Sequence, residues 1–166
     1  GDTLYARWKP WSDVSVDTWL IPANPWHIRV HRITTPRALH ATEGGFAIGR
    51  ADLNADAISE EAGQAVASSA TDLSAIIDLA GQRSGRVQKA YPNTNLIVSK
   101  TLVPQLRGEI GVGTTVLVTA AMALPAGAAA EAAQSKPPAA PDLAALEALF
   151  AREGIDVSAI LVPERF

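Results

Sequence analysis

VSVDTWLIPANPWHIRVHRI, residues 14–33, alternates in hydropathy with the two-residue period of a β-strand. The prolines at positions 22 and 25 divide the stretch, so it predicts two strands with a turn between them. In the second strand one predicted face carries Trp26, Ile28 and Val30, and the other carries His27, Arg29 and His31. The first face has the side chains of a core, and the second is basic.

Short strand patterns continue along the chain. They occupy residues 46–48, 65–69, 73–79, 86–90, 96–102 and 114–124, with glycine and proline between most of them. The polar, acidic residues 51–63 predict a loop with one helical turn at 59–61, and Pro104 is expected to end a strand. Residues 108–113 are expected to form a turn. Roughly seven to nine strands at this spacing predict a mainly β protein, an antiparallel β-sandwich in preference to a barrel.

The composition changes after residue 124. Residues 125–141 are rich in alanine and proline and are interpreted as a linker or loop beyond a sandwich domain at 1–124. Residues 142–166 are interpreted as a short C-terminal helix and a final strand at 157–162, appended to the sandwich. Asp142 is a candidate N-cap and Gly154 a candidate C-terminal cap for this helix. Its apolar side chains at helical spacing are Leu143, Leu146, Leu149 and Phe150.

Composition excludes several classes of function. The net charge is −3, and the 14 Lys and Arg residues form no run, so a nucleic-acid partner is not expected. The longest apolar stretch, residues 116–124, is about half of the ~20 residues of a membrane helix, so we expect a soluble protein. The absence of cysteine excludes disulfides and thiolate chemistry.

The start of the chain indicates a missing neighbour. The sequence begins at Gly1 and its only methionine is Met122, so we expect a piece cut from the C-terminal end of a larger protein, by processing or cloning. All four tryptophans fall in the first 26 residues: Trp8, Trp11, Trp19 and Trp26. We assign Trp26 to the core and the other three to an interdomain contact. A stacking platform for sugar rings is the alternative that the same residues allow.

The basic face of residues 27–31 is the candidate ligand site. A guanidinium at Arg29, flanked by imidazoles at His27 and His31, is suited to a carboxylate, so the implied ligand is an acid. The alternative is a solvated outer face on which Arg29 pairs with Asp13 or Asp17 of the neighbouring strand. Residues four apart on a strand are separated by roughly 13 Å, so the two histidines cannot share one ion and no metal site is predicted.

A second polar cluster consists of His40, Thr42 and Glu43, ahead of a Gly-Gly pair. An imidazole and a carboxylate could act there as base and acid, although the arms of a surface turn would have the same composition. The chain has no nucleophile elbow, P-loop or dinucleotide fingerprint. We therefore assign no catalytic residue and no cofactor, and leave open whether the chain belongs to an enzyme.

The strings at residues 16–22, 25–33 and 43–46 resemble the C-terminal part of the bacterial family called domain of unknown function 2264. The resemblance extends over residues 1 to about 125 and is most specific at 14–48. It implies a β-rich domain that follows an N-terminal helical (α/α) toroid, as in heparinase-like polysaccharide lyases. The family is also similar to glycoside hydrolase family 154, whose implied chemistry is removal of uronic acid residues from glycans.

This resemblance implies an accessory sandwich domain of a carbohydrate-active protein, with the catalytic acid and base in the toroid. Arg29, with the two flanking histidines, would then help bind an acidic, uronate-containing glycan. An independent carbohydrate-binding module and a purely structural or oligomerisation domain are the two alternatives. The resemblance implies a bacterial protein, of the cytoplasm or the periplasm.

Overall fold

Eleven β-strands and one α-helix form the part of the chain that the computed structural model describes: residues 3–50, 57–69, 72–80, 83–90, 100–125 and 137–155. The strands are β1 (Leu4–Trp11), β2 (Val14–Ala23), β3 (Trp26–Thr35), β4 (Leu39–Gly44), β5 (Ile48–Arg50), β6 (Ala57–Glu61), β7 (Gln64–Ser68), β8 (Asp72–Asp78), β9 (Ser84–Ala90), β10 (Lys100–Ile110) and β11 (Gly113–Pro125). The helix, α1, spans Leu143–Arg152. The predicted mainly β class with a short C-terminal helix is confirmed.

The strands form two antiparallel sheets packed face to face. The larger has seven strands in the order β1-β2-β3-β11-β8-β7-β6. In the smaller, β10 pairs with β4 and β5 along one edge and with β9 along the other. Strands β10, β5 and β9 pack over β6, β7 and β8 of the larger sheet. The arrangement is the predicted antiparallel sandwich.

The alternating stretch at residues 14–33 forms the β2–β3 hairpin, in which Leu20 lies opposite Arg29 and Thr18 opposite His31. Trp26, Ile28 and Val30 are at most 2% exposed and belong to a core cluster that α1 also joins. The odd-numbered side chains from 27 to 31 therefore face the smaller sheet. The predicted division of β3 into two faces is confirmed.

Strand β11 lies at the centre of the larger sheet, between β3 and β8. Its residues from 115 to 122 are all buried, as its apolar density predicted. Val118 and Met122 pack in the cluster beneath α1, whereas Leu117 and Ala121 pack toward the smaller sheet. Strand β11 therefore separates two cores, one beneath α1 and one between the two sheets.

The expected strand end at Pro104 is wrong, because this proline lies inside β10. The backbone N–H of Gly45 donates to the Pro104 carbonyl (2.7 Å), so that side of the residue faces the interruption between β4 and β5. In a strand, the N–H and the C=O of one residue point to the same side. The N–H that Pro104 lacks would therefore also face the gap between β4 and β5, where none of the described strands is present to accept it.

The loop predicted for residues 51–63 is wrong over its second half. Residues 57–61, including the expected helical turn, form β6 and pair with β7, and only Ala62 and Gly63 turn. Because β6 is the last strand of its sheet, it can carry acidic side chains in solvent, which weakens its apolar alternation. Strand β1 at the opposite edge was not predicted for the same reason: both of its faces are largely exposed.

The turn expected at residues 108–113 is shorter than predicted. Strand β10 continues to Ile110, and only Gly111 and Val112 lie between it and β11. Gly108 is a strand residue over which the Arg83 side chain passes, since a Cβ at position 108 would lie 2.6 Å from the Arg83 Cγ. This glycine therefore leaves room for a buried arginine.

Helix α1 packs against the outer face of the larger sheet. The Asp142 carboxylate accepts from the Ala144 N–H (3.2 Å), and Gly154 adopts φ +66°, so the expected caps are confirmed. Leu146 and Phe150 are buried in the same cluster as Trp26, whose indole N–H donates to the Ala139 carbonyl (3.1 Å). Most of the predicted linker, 126–136, and the predicted strand at 157–162 lie outside the described residues. Of the helices described, none has the length and apolar character to cross a bilayer.

Candidate functional site

A cleft of about 620 Å³ lies between the two sheets, on the side where β1, β2 and β3 face β4. Its lining includes Trp8, Trp11, Arg29, His31, Leu39 and Glu43. One end is closed by an apolar cluster that contains Val14, Val16, Ile33 and Ile110. The other end is polar and carries the charged side chains. A ligand would therefore meet apolar walls and a charged inner end, as in many small-molecule sites.

Arg29 and His31 project from β3 toward Glu43 of β4 at the polar end. The Arg29 Nη1 donates to the Gly44 carbonyl (2.5 Å) and lies 3.7 Å from the Glu43 Oε1. The His31 Nε2 lies 3.4 Å from the same carboxylate oxygen, and its Nδ1 lies 2.9 Å from the Thr18 Oγ1. Both basic side chains are about one-fifth exposed, so they border the cleft without projecting freely into solvent.

Arg83 holds Glu43 from the opposite side. Its Nη1 donates to the Glu43 Oε2 (2.8 Å), its Nε to the Asp78 Oδ2 (2.8 Å), and its Nη2 to the Thr119 Oγ1 (2.6 Å). The Thr119 hydroxyl in turn donates to the Glu43 Oε2 (2.7 Å). Arg83 is 3% exposed, so this cation is buried between two carboxylates. Such an arrangement is stable only when every charge has its partner.

Glu43 stays ionised in this setting. Burial alone would raise the pKa of Glu43, but the imidazole of His31 and the guanidinium of Arg83 outweigh burial and hold the pKa at about 2. Its Oε2 accepts two hydrogen bonds, whereas its Oε1 is buried and accepts none from the described residues. The free oxygen points between His31 and Arg29, at distances just beyond hydrogen bonding.

The three predicted ligand residues do not lie together. Arg29 and His31 line the cleft, whereas His27 packs against the Phe46 ring with the centroids 5.5 Å apart. Phe46 also lies beneath the Arg29 guanidinium, 5.3 Å from its ring centroid, so it separates His27 from the cleft side chains. The structure therefore offers one cation and one imidazole to a ligand.

The alternative of a solvated outer face is wrong, because the Arg29 side chain faces the smaller sheet. Its expected partners are engaged elsewhere. Asp17 lies on the opposite face and accepts from Arg7, Tyr5 and Arg32. Arg7 is the main cause that holds the pKa of Asp17 far below its usual value. Asp13 lies near Arg37 instead, at 3.5 Å.

The tryptophans divide between the two faces of the larger sheet. Trp8 and Trp11 are 51% and 54% exposed at the mouth of the cleft. Trp19 is only 9% exposed, on the opposite face, where it packs against Tyr5 and beneath Arg32. Of the three tryptophans assigned to an interdomain contact, only Trp8 and Trp11 therefore expose a large surface. Trp26 is buried, as predicted.

The acid–base pairing of His40 with Glu43 is wrong. Residues three apart on a strand point to opposite faces, and the His40 side chain is 88% exposed beside Glu109. Two further site residues, Arg83 and Thr119, carry no signal in the sequence pattern. Arg83 follows a glycine-containing turn, where no periodicity marks burial, and Thr119 looks like one more residue of an apolar strand. Within the described ranges, no three side chains of His, Asp or Glu converge as a metal site would require.

The comparisons with known proteins show a family and nothing beyond it. A family model described as the DUF2264 C-terminal domain matches residues 1–145, which is most of the chain. A search of the curated proteins found no match. The match spans β1 to β11 and the start of α1, so the cleft and all of its charged residues lie within it.

Proposed function

The chain belongs to the DUF2264 C-terminal domain family, and from this premise we propose that it is an accessory β-sandwich domain of a larger carbohydrate-active protein. Its cleft helps to bind an acidic, uronate-containing glycan. The catalytic acid and base lie in the domain that precedes it, a helical toroid. This chain supplies binding and orientation, so no residue in it is given a catalytic role.

The observation that carries the proposal is the composition of the cleft. Two exposed indoles, Trp8 and Trp11, stand at its mouth, and a guanidinium stands near its inner end. Indole faces stack on the apolar faces of sugar rings, and guanidinium groups bind carboxylates through paired hydrogen bonds. Among the described residues, the Nε and Nη2 atoms of Arg29 donate no hydrogen bond, so they remain available to a ligand.

The same geometry supports the proposed partner. Trp8 and Trp11 form an apolar rim that water solvates poorly, and a neighbouring domain would cover part of it. Ligand sites occur preferentially where domains meet. A toroid seated on this rim would place its own substrate groove next to the mouth of the cleft.

Arg29→Ala in the protein that contains both domains tests the ligand. Loss of a paired, charged hydrogen bond removes about 1.5–3 kcal/mol, so we expect KM for a uronate substrate to rise by roughly tenfold or more. Arg107→Ala is the control, because Arg107 is an exposed arginine outside the cleft whose side chain hydrogen-bonds only to Gln105 among the described residues. Equal kinetics for the two variants would remove Arg29 from the site.

Two other functions are possible for this domain: an independent carbohydrate-binding module, and a structural or oligomerisation domain. Calorimetric titration of this chain alone with oligosaccharides tests the first. An accessory domain shares its ligand with the toroid and shows no measurable binding by itself. Binding by the isolated chain that is lost in Trp8→Ala would instead establish an independent carbohydrate-binding module. A structural or oligomerisation domain predicts no binding here and no effect of Arg29→Ala in the longer protein.

A further inference from the structure

We propose that the cleft binds its acidic ligand together with a proton, which is taken up by the imidazole of His31. The inference rests on the proposed function, because it concerns the same ligand in the same cleft. It adds a regulation: the affinity of this site for a uronate depends on pH, and its affinity for a neutral sugar does not.

The charges at the polar end already balance without a ligand. Besides the imidazole of His31, the charged side chains described there are two guanidinium groups, Arg29 and Arg83, and two carboxylates, Glu43 and Asp78. A ligand carboxylate would add a negative charge to a cleft whose walls are largely apolar and whose Glu43 is 12% exposed. An uncompensated charge in such a place is costly, so a positive charge must accompany the ligand.

Glu43 is a poor acceptor for the compensating proton. Its Oε2 is held by Arg83 and Thr119, and protonation would weaken both hydrogen bonds. Asp78 is tied in the same way to the guanidinium of Arg83 and to two backbone N–H groups. Imidazole is the side chain that changes its charge between about pH 5 and 8.

His31 has an acceptor ready for each of its nitrogens. With a neutral ring, the Thr18 hydroxyl donates to Nδ1, and the Trp8 indole N–H, 3.4 Å away, donates to the same hydroxyl oxygen. The Nε2 atom lies 3.4 Å from the Glu43 Oε1, which accepts no hydrogen bond from the described residues. A proton from solvent binds the Nδ1 lone pair. The Thr18 hydroxyl rotates to accept a hydrogen bond from the new N–H, so the contact between Nδ1 and the hydroxyl oxygen is kept.

The other groups around His31 do not compete for this proton. Arg29 on its own strand and Arg83 beside Glu43 are permanently protonated. Opposite His31 lie Thr18 on β2 and Leu117 on β11, and Trp8 of β1 reaches the Thr18 hydroxyl; none of these side chains titrates. An anion bound beside Arg29 in the cleft therefore raises the proton affinity of the His31 imidazole, which lines the cleft, whereas Phe46 separates His27 from it.

The direction of the pH dependence follows from linkage. A ligand that raises the proton affinity of His31 binds the protonated form more tightly, so uronate affinity rises as the pH falls, for as long as the ligand carboxyl remains ionised. Uronate affinity therefore falls as the pH rises, because the complex holds more protons than the free protein. A neutral sugar in the same cleft brings no charge, and its affinity stays level.

Calorimetric titration of the protein with both domains tests the proposal. The ligands are S-linked disaccharides that end in glucuronate or galacturonate, which resist hydrolysis, and the controls are the disaccharides that end in glucose or galactose. Titrations at about pH 7.5 in buffers with different ionisation enthalpies give the number of protons taken up. We expect net proton uptake for the uronates and none for the neutral sugars.

Two histidine variants locate the proton. His31→Gln keeps hydrogen-bonding groups in the cleft but cannot titrate, so we expect weaker uronate binding without proton uptake. His40→Gln is the matched control, because His40 is exposed on the outer face of β4, and proton uptake should persist. Uronate binding that depends on Arg29 but takes up no proton, or uptake that survives in His31→Gln, overturns this inference alone. Uronate binding that is unchanged in Arg29→Ala overturns the proposed function and this inference with it.

Discussion

At the scale of single residues, the site depends on a cation that does not face the ligand. Arg83 forms ion pairs with both Asp78 and Glu43 and orients the Glu43 carboxylate, whose free oxygen then faces His31 and Arg29. Buried ion pairs of this kind add little to stability when intact, but removal of one partner leaves uncompensated charges in the interior.

Arg83→Met should therefore destabilise the protein by about 3–5 kcal/mol, because two buried carboxylates lose their cation. Arg86→Met is the matched control: the Arg86 side chain is 56% exposed and lies 3.6 Å from Glu60. Surface ion pairs contribute up to about 1 kcal/mol, so its effect should be small. Urea unfolding at neutral pH measures both. Similar losses in the two variants would contradict the structural role given to Arg83.

Residue-scale prediction from the sequence succeeded where alternation applies. It placed Arg29 and His31 on one face of β3, opposite the core residues Ile28 and Val30. It could not show that this face meets a second sheet, since the carboxylate opposite, Glu43, arrives on a strand from elsewhere in the chain. The period of a strand separates its two faces but does not say what covers either of them.

At the scale of elements, β1 is an edge strand that exposes large apolar side chains. It pairs with β2 on one side only, at the edge of the larger sheet, and both of its faces carry exposed large apolar side chains. These are Leu4, Tyr5, Trp8 and Trp11, each more than half exposed. An edge strand of this composition invites a partner.

Hydrogen exchange of this chain alone and of the protein with both domains tests the proposed partner. We expect residues 4–11 to exchange more slowly in the longer protein, because the toroid would cover them. The turn at Val112, which is 71% exposed and joins β10 to β11, is the internal control and should exchange equally in both. Equal exchange of residues 4–11 in the two proteins would show that no other domain covers the apolar rim.

At the scale of the whole molecule, the helix belongs to the core of the sandwich. Phe150 is completely buried and packs in the cluster of Trp26, Val118 and Met122 on the outer face of the larger sheet. Leu146 lies one turn earlier on the same face of α1. The larger sheet is thus covered on one face by β-strands and, over part of the other, by α1.

Phe150→Ala should lower the free energy of unfolding by about 3–5 kcal/mol, the range for deletion of a buried aromatic ring. Glu147→Ala, on the exposed face of the same helix, should change it by less than about 0.5 kcal/mol. Tryptophan fluorescence and far-ultraviolet circular dichroism should report one shared transition, since Trp26 and Phe150 share a core. A helix that melts before the sandwich would show instead that α1 is a separate appendage.

The sequence by itself determined the period of its strands, the burial of β11 on both faces and the caps of α1, because each depends on residues close together in the chain. It erred at Pro104 and β6, where the place of a strand in its sheet overrides local preference. Only the tertiary structure decided that the basic face of residues 27–31 is enclosed, that His27 is separated from it, and that Arg83 and Glu43 complete it. Those residues come from separate strands and turns, and packing of the two sheets is the interaction that brings them together.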